Sequence, residues 1–368
     1  MSYTVLARRY RSREFDELVG QEGVARTLRN AIEQNRVAHA YLFVGTRGVG
    51  KTTMARLLAK QLNAGDDPAV AEAIMTGQDT DVVEIDAASN RGVDEARELI
   101  ANSVYRPLRG RFKIYIIDEV HMLTREAFNA LLKIMEEPPA HVKFILCTTE
   151  AHKVPATIQS RCQRFDFRRL SSEEIAHHLA MVCKKEKIGA EPAALALVAR
   201  LGNGSMRDAL SLLDRLMAAC AEGEKISTKL IESVMGLPPS ERMEALVDAF
   251  ADSDPAAALV AMDAVLATGV EGEQALESLA ERFRDLMVLA VCGEGTNLVE
   301  LGGDARDRAV EQAGRFDGAA LVHMVALVES VGRMCRTSSA PRALIDAMVV
   351  RLAMTDKLAD VSRLLAGD

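Results

Sequence analysis

Residues 45–52 read Gly-Thr-Arg-Gly-Val-Gly-Lys-Thr, and residues 114–119 read Ile-Tyr-Ile-Ile-Asp-Glu. The first segment has the spacing of a phosphate cradle: glycines let consecutive backbone N–H groups converge on phosphate oxygens, and the following helix start adds its positive dipole end. In that frame Lys51 reaches β- and γ-phosphates and the Thr52 hydroxyl ligates Mg²⁺, with Gly45, Gly48, Val49, Gly50 and Thr53 completing the nucleoside triphosphate contacts. The second segment is a buried strand ending in two acids, a metal carboxylate (Asp118) and a base for the attacking water (Glu119). Read alone, it is equally a strand that ends in two solvated acids; the cradle upstream makes it the second half of a hydrolytic site.

Three further positions suit the same chemistry. The apolar run Phe144-Ile145-Leu146-Cys147 ends in Thr148-Thr149, and a hydroxyl such as that of Thr148 at the carboxyl edge of a sheet can hydrogen-bond a γ-phosphate or the attacking water. A capping threonine is the plainer alternative. Arg161 and Arg207 each stand near the start of a new element, where a guanidinium can be aimed at transition-state charge. Isolated arginines are more often surface solvators.

These residues need an α/β frame. Short apolar runs at 40–44, 82–86, 113–117, 143–148 and 164–167 predict strands. Amphipathic stretches near 92–103 (Val93, Ala96, Leu99, Ile100) and from Thr124 (Phe128, Leu131, Leu132, Met135) predict covering helices, the second ended by Pro138-Pro139. The alternation implies a layered domain with a mostly parallel sheet. From Ser171 the strand signal stops, and Ser171-Ser172-Glu173-Glu174 opens helical stretches near 172–187, 191–200, 205–221 and 227–235. After the linker Gly236-Leu237-Pro238-Pro239 the chain is Ala- and Leu-rich helix. The expected division is an α/β nucleotide-binding domain (1–170), a small helical domain (171–238) and a larger all-α domain (239–368).

At 368 residues, 49% apolar and 27% charged, the composition is that of a soluble protein with two or three domains. No run of eighteen apolar residues occurs, and Met1-Ser2-Tyr3-Thr4 does not open a signal peptide, so a cytoplasmic protein is expected. Cys147, Cys162, Cys183, Cys220, Cys292 and Cys335 show no C-x-x-C spacing, which points away from a disulfide framework. Residues 1–170 hold 25 Lys+Arg against 22 Asp+Glu, net +3, and residues 171–368 hold 20 against 31, net −11. A polyanion should therefore meet the first part and be repelled by the second.

The chain resembles the gamma/tau subunits of bacterial DNA polymerase III, the AAA+ motors of the sliding-clamp loader. The resemblance rests on Tyr3–Arg11, Val19-Gly20-Gln21-Glu22, the phosphate loop, Glu84–Asn90, Asp118–Leu123, Asn129–Lys133, Ser160-Arg161-Cys162 and Gly204–Leu212. It is dense to about residue 240 and thins to a helical pattern with Ser338–Arg342 beyond. It implies an AAA+ domain, a helical lid and an all-α collar, acting as an ATP hydrolase in DNA replication. Lys51 and Thr52 would hold phosphates and metal, Asp118 and Glu119 would form the acidic motif, and Thr148 would sense the γ-phosphate. Arg207, beside Met206, would be the lid arginine, and adenine would lie among Ala7, Tyr10, Arg11, Val19 and Gly20. Arg161 would act in trans, reaching with Thr157 into a neighbour's ATP site. Ser89, Asn90 and Arg91 would touch the DNA backbone; Arg106, Arg109 and Arg111 form a second basic cluster, as readily a solvated loop. Implied partners are the delta and delta prime subunits, the clamp, primer-template DNA and further copies of the chain, with no membrane and a nucleoid-associated place in the cytoplasm.

The departures carry expectations too. Family members usually hold zinc with four cysteines between the phosphate-loop helix and the Glu-Ile-Asp motif; residues 63–81 contain none, and Asp66, Asp67 and Asp79 do not make a tetrahedral thiolate site, so no zinc is expected. Ser12 stands where proline is common. The sequence reaches the end of the presumed collar, without the extended tail by which longer members contact polymerase and helicase. Two competing readings remain: a non-hydrolysing loader subunit, against which Lys51, Asp118 and Glu119 all count, and a helicase-type AAA+ motor, against which the acidic second half counts.

Overall fold

The computed structural model describes residues 4–89, 105–221 and 223–355; the expected helix near 92–103 lies outside them. By compactness the chain divides into two units, Met1–Val182 with Ala199–Asp214, and Cys183–Val198 with Arg215–Asp368.

In the first unit, α1 (Leu6–Arg9) and α2 (Glu22–Glu33) precede β1 (Ala40–Val44), α3 (Lys51–Asn63), α4 (Pro68–Thr76), β2 (Val82–Asp86) and β3 (Lys113–Asp118). Next come α5 (Arg125–Glu136), β4 (Val142–Thr148), α6 (Ala156–Gln159) and β5 (Gln163–Asp166). All five strands pair in parallel in the order β2-β3-β4-β1-β5. The register aligns Val44 with Thr148 and Asp86 with Asp118, so the phosphate loop, the threonines after β4 and the acidic pair all leave the same carboxyl edge. That edge is where ligands of open parallel sheets sit.

Why these runs become strands follows from burial on both faces. Every residue of β4 is buried, as expected of a central parallel strand. Alternate residues face opposite layers: Tyr41, Phe43, Ile114, Ile116 and Ile145 pack with Met54, Leu57 and Leu58 of α3, whereas Leu42, Tyr115, Ile117, Phe144 and Leu146 pack with Phe128, Leu131 and Met135 of α5. The Thr124 hydroxyl caps α5 by accepting from the Ala127 N–H at 3.2 Å.

Asp81, only 2% exposed, fixes the loop before β3. Its carboxylate accepts from the N–H groups of Leu108 (2.8 Å), Arg109 (2.7 Å) and Gly110 (2.9 Å). Burial raises its pKa, but these three donors and Lys113 outweigh burial and hold it below the ordinary carboxylate value. Asp81→Ala would take the acceptor from three part-buried N–H groups, and urea unfolding should show a loss of about 2 kcal/mol at neutral pH. Because the folded pKa is depressed, that contribution is fully present above about pH 4 and is lost as pH falls through the folded value. The gap between wild type and Asp81→Ala should therefore shrink in acid.

Helices α7 (Ser172–Glu186), α8 (Pro192–Leu201), α9 (Met206–Ala219) and α10 (Thr228–Met235) follow, close to the predicted spans. The start of α7 is a capping box: the Ser171 hydroxyl accepts from the Glu174 N–H at 3.2 Å, and the Glu174 carboxylate accepts from the Ser171 N–H at 2.9 Å. Helices α11 (Ser240–Ala251), α12 (Pro255–Leu266), α13 (Gly272–Cys292), α14 (Gly303–Ala313), α15 (Gly318–Cys335) and α16 (Pro341–Ala353) share a core. Phe250 and Phe283 meet there with ring centroids 5.7 Å apart. Helix α15 is long and apolar enough by composition to cross a bilayer, but Leu321, Met324, Val328 and Val331 are buried in this bundle. The fold is thus an AAA+ α/β domain with a parallel sheet, followed by a helical lid and an all-α carboxyl-terminal region.

Candidate nucleotide site

The loop between β1 and α3 is shaped by glycines where no other residue fits. Gly48 and Gly50 have φ of 76° and 100°, in the left-handed region that side chains disfavour. A Cβ on Gly48 would collide with the Ser205 hydroxyl, and one on Gly50 would sit 2.9 Å from Leu18 Cδ1. Gly50 caps α3 without a side-chain acceptor, leaving the first-turn amides of that helix for an anion.

Lys51 is 6% exposed, and its ammonium donates to the carbonyls of Gly45 (2.8 Å) and Thr46 (2.9 Å). Burial lowers its pKa, while the carboxylates of Glu119 and Asp118 act in the opposite direction. Thr52 Oγ1 donates to Asp118 Oδ2 at 2.6 Å. The cradle and the acidic strand therefore meet directly, although β4 separates β1 from β3 in the sheet. Asp118 Oδ1 also accepts from the Glu119 N–H at 2.9 Å.

Glu119 adopts φ 47° and ψ 44°, a left-handed conformation that costs a non-glycine residue about 1–3 kcal/mol and persists where the surroundings over-determine it. Thr149 Oγ1 donates to Glu119 Oε2 at 3.1 Å. The Thr148 hydroxyl, fully buried, accepts from the Glu150 N–H at 3.0 Å and lies 3.0 Å from His121 Nδ1. Of the two adjacent threonines, then, it is Thr149 whose hydroxyl touches Glu119.

A cavity of about 650 Å³ opens beside this cluster. Its walls include Ala7, Tyr10, Arg11 and Val19, the run from Gly48 to Thr53 with Val49, and Met206 and Arg207. Gly20 and Gly45 do not line it: a Cβ on Gly20 would strike the Leu170 side chain, and one on Gly45 would come within 2.7 Å of the Phe167 carbonyl. The walls are cationic, with Arg8, Arg56 and Arg207 joining Lys51. Arg11 has a lowered pKa, through burial first and then through Arg56 and Arg207, opposed by Glu84 and Asp118. A triphosphate would relieve that crowding of like charge.

Several residues here escape reading along the chain. Arg56 pairs with Glu84 through Nε–Oε2 at 2.7 Å and donates to the Met75 carbonyl at 2.6 Å, a link between α3 and β2 that no local motif announces. His121 is another: reading along the chain gives it no role of its own, whereas here its ring contacts Thr148 and Glu119.

Arg161 and Thr157 do not line this cavity. Arg161 is held instead by Glu136 Oε1 at 2.7 Å and by the Thr157 carbonyl at 2.7 Å. Ser89 Oγ donates to Asp86 Oδ2 at 3.1 Å; Asn90 and Arg91 lie outside the described residues. Between residues 63 and 81 stands α4, started by Asp67, which accepts from the N–H groups of Ala69 and Val70. Asp79 accepts from those of Asp81 and Val82, so Asp67 caps a helix and Asp79 holds the turn into β2. Among the described residues, no group of three or more His, Cys, Asp or Glu side chains is placed to hold a metal ion.

Family models match in three consecutive segments. The model described as DNA polymerase III, delta subunit, matches residues 20–171. That of the DNA polymerase III clamp loader subunit, ATPase lid domain, matches 174–222, and that of DNA polymerase III subunits gamma and tau domain III matches 226–366. DNA polymerase III subunit tau of Escherichia coli (strain K12) is 45% identical over 297 residues, covering 78% of this chain and 46% of the relative. DNA polymerase III subunit gamma of Buchnera aphidicola is 40% identical over 284 residues, covering 75% of this chain and 78% of the relative. The chain spans about half the length of the tau relatives from Salmonella typhimurium and Escherichia coli, 46% in each. Among solved structures, the Thermotoga maritima RuvB Holliday junction branch migration motor aligns with a TM-score of 0.50 at 18% identity, over 64% of this chain and 78% of RuvB, a likeness of fold alone. With the carboxyl-edge cradle of an AAA+ domain and a relative matched over most of its length, the chain belongs to the gamma/tau family of DNA polymerase III clamp-loader subunits.

Proposed function

We propose that this chain is an ATP-hydrolysing motor subunit of the bacterial sliding-clamp loader. ATP binding orders an oligomer that opens the clamp and grips primed DNA, and hydrolysis releases both. The observation that carries this reading is the 2.6 Å contact between Thr52 of the phosphate loop and Asp118 of the acidic strand, with Lys51 and Glu119 beside it.

In this reading the amides of Gly48, Val49 and Gly50 and the Lys51 ammonium bind the β- and γ-phosphates, and Ala7, Tyr10, Val19 and Met206 flank the base. Thr52 and Asp118 hold Mg²⁺, which supplies charge neutralisation along the phosphates. Glu119 takes the proton of the attacking water; the γ-phosphorus–oxygen bond to ADP breaks as the new bond to water oxygen forms. Arg207 steadies the nucleotide of its own chain. Arg161, with Thr157, reaches the γ-phosphate of a neighbouring subunit, so turnover requires assembly. Support for the trans role is that Arg161 is partly exposed and does not line its own chain's cavity. The three-domain division 1–170, 171–238 and 239–368 belongs to this proposal, with the three matched segments as support.

Family membership implies other clamp-loader subunits as partners; we take delta, delta prime, further copies of the chain, the clamp and primer-template DNA as the specific ones, in the cytoplasm at the nucleoid. DNA should meet the first half near Ser89, Asn90 and Arg91, because the second half carries net −11.

The test is equilibrium ATP binding together with ATPase activity in the presence of loader partners, clamp and primed DNA. Activity should rise with clamp and primer-template present, and Lys51→Ala should weaken nucleotide binding about 10- to 100-fold, the worth of a charge-assisted hydrogen bond. Closed hexamers formed on DNA by the chain alone would favour a branch-migration-type motor instead.

A further inference from the structure

Glu119 stands in a left-handed backbone conformation, and a carboxylate there acts on water only if its side chain is held. The side chain that holds it in part is His121, just 5% exposed. His121 Nδ1 lies 3.4 Å from Glu119 Oε2 and 3.0 Å from Thr148 Oγ1, and Nε2 on the other side of the ring lies 3.3 Å from Glu150 Oε1. Glu150 is itself fixed, since its N–H donates to Thr148 Oγ1 at 3.0 Å and its carboxylate accepts from Lys153 Nζ at 2.9 Å. One buried imidazole thus sits between two carboxylates, one at the end of β3 and the other just after β4. Each ring nitrogen has an oxygen partner.

We propose that His121 is a positioning residue for hydrolysis: anchored by Glu150 and Thr148, it fixes the orientation of the Glu119 carboxylate at Oε2, the oxygen that also accepts from Thr149 Oγ1. His121 does not line the nucleotide cavity, so its effect is expected on the chemical step and not on nucleotide binding. The inference rests on the role assigned to Glu119 above.

The two ring nitrogens can be separated chemically. Asparagine places a polar atom near Nδ1, toward Glu119 and Thr148, and abandons Glu150; alanine removes both sides. Steady-state ATPase of the assembled loader with clamp and primed DNA should show kcat reduced about 10- to 100-fold in His121→Ala, the usual effect of misplacing a reacting group by a fraction of an ångström to one ångström. His121→Asn should recover a good part of that loss. KM and the equilibrium ATP affinity should stay within about two-fold in both, because ground-state binding is untouched. Glu150→Gln combined with His121→Asn should cost little more than His121→Asn alone, the pair acting as one unit.

Glu119→Gln is run alongside. If Glu119→Gln abolishes turnover while both His121 variants keep wild-type kcat, this inference is overturned and the parent reading stands. A parallel fall of kcat, ATP affinity and thermal midpoint in both His121 variants also overturns it, since that is the signature of a purely structural histidine. Normal turnover in Glu119→Gln would instead overturn the parent reading.

Discussion

Arg161→Ala should bind ATP as well as the unaltered chain does and yet, within an assembled loader, turn over about 10³-fold or more slowly, the scale on which a guanidinium stabilises the transferring phosphoryl group. The expectation follows from where Arg161 is. Its guanidinium is tied to Glu136 and to the Thr157 carbonyl on a patch apart from the chain's own cavity. Removing it therefore leaves every cavity wall in place. The tie to Glu136 also orients the side chain before assembly, so less rotamer freedom is lost when a neighbour's triphosphate is met. A partly exposed ion pair of this kind adds little stability, and the thermal midpoint should hardly move. Rapid-mixing ATPase and equilibrium binding, run on the same preparation, separate the two effects; turnover at the normal rate would remove Arg161 from the mechanism.

Glu119→Gln should reduce the rate of hydrolysis by about 10²- to 10⁴-fold, the range for removing a general base, with ATP held as tightly as before. Glutamine keeps the size and the hydrogen bond from Thr149 Oγ1 but has no basic oxygen for the proton of water. It also removes the negative charge that now acts on Lys51, which favours binding of an anionic nucleotide if it changes binding at all. The loader should then accumulate in its ATP-bound, clamp-engaged state, visible as long-lived complexes with clamp on primed DNA. That outcome follows from the switch logic: only contacts made in one nucleotide state and lost in the other can drive release.

How much of this could be read along the chain depended on whether the information is local. The strands were legible because β-branched and apolar runs between helices have one good burial solution, and no observed bound differs from the expected one by more than a residue. The cradle and the acidic pair were legible for the same reason: Gly48, Gly50, Lys51 and Thr52 are neighbours in sequence, as are Asp118 and Glu119. Their meeting at 2.6 Å depends on a strand order that sets β4 between them, which no local pattern states. Thr148 was chosen over Thr149 only through family resemblance; that the Thr148 hydroxyl meets His121 while that of Thr149 meets Glu119 depends on how the strand end turns, which no local pattern states. Arg11 and Tyr10 reached the cavity in the reading only through family resemblance, since nothing in Ala7–Arg11 itself suggests a nucleotide. The Arg56–Glu84 pair joins residues far apart in sequence and had no signal at all. By contrast, the helix at Pro68–Thr76 was readable after the fact: Asp67 before Pro68 is a standard start, and Gly77 in the left-handed region a standard stop.

The account turns on one claim, that each hydrolytic site is built from two chains. It is tested most directly by mixing. Loaders assembled from Glu119→Gln chains alone, or from Arg161→Ala chains alone, should both be nearly inactive with clamp and primed DNA. Loaders assembled from an equal mixture should regain a substantial fraction of turnover, because an Arg161→Ala chain keeps its own Glu119 and receives Arg161 from a Glu119→Gln neighbour. Mixed assemblies as inactive as either parent, with assembly itself intact, would contradict the shared site.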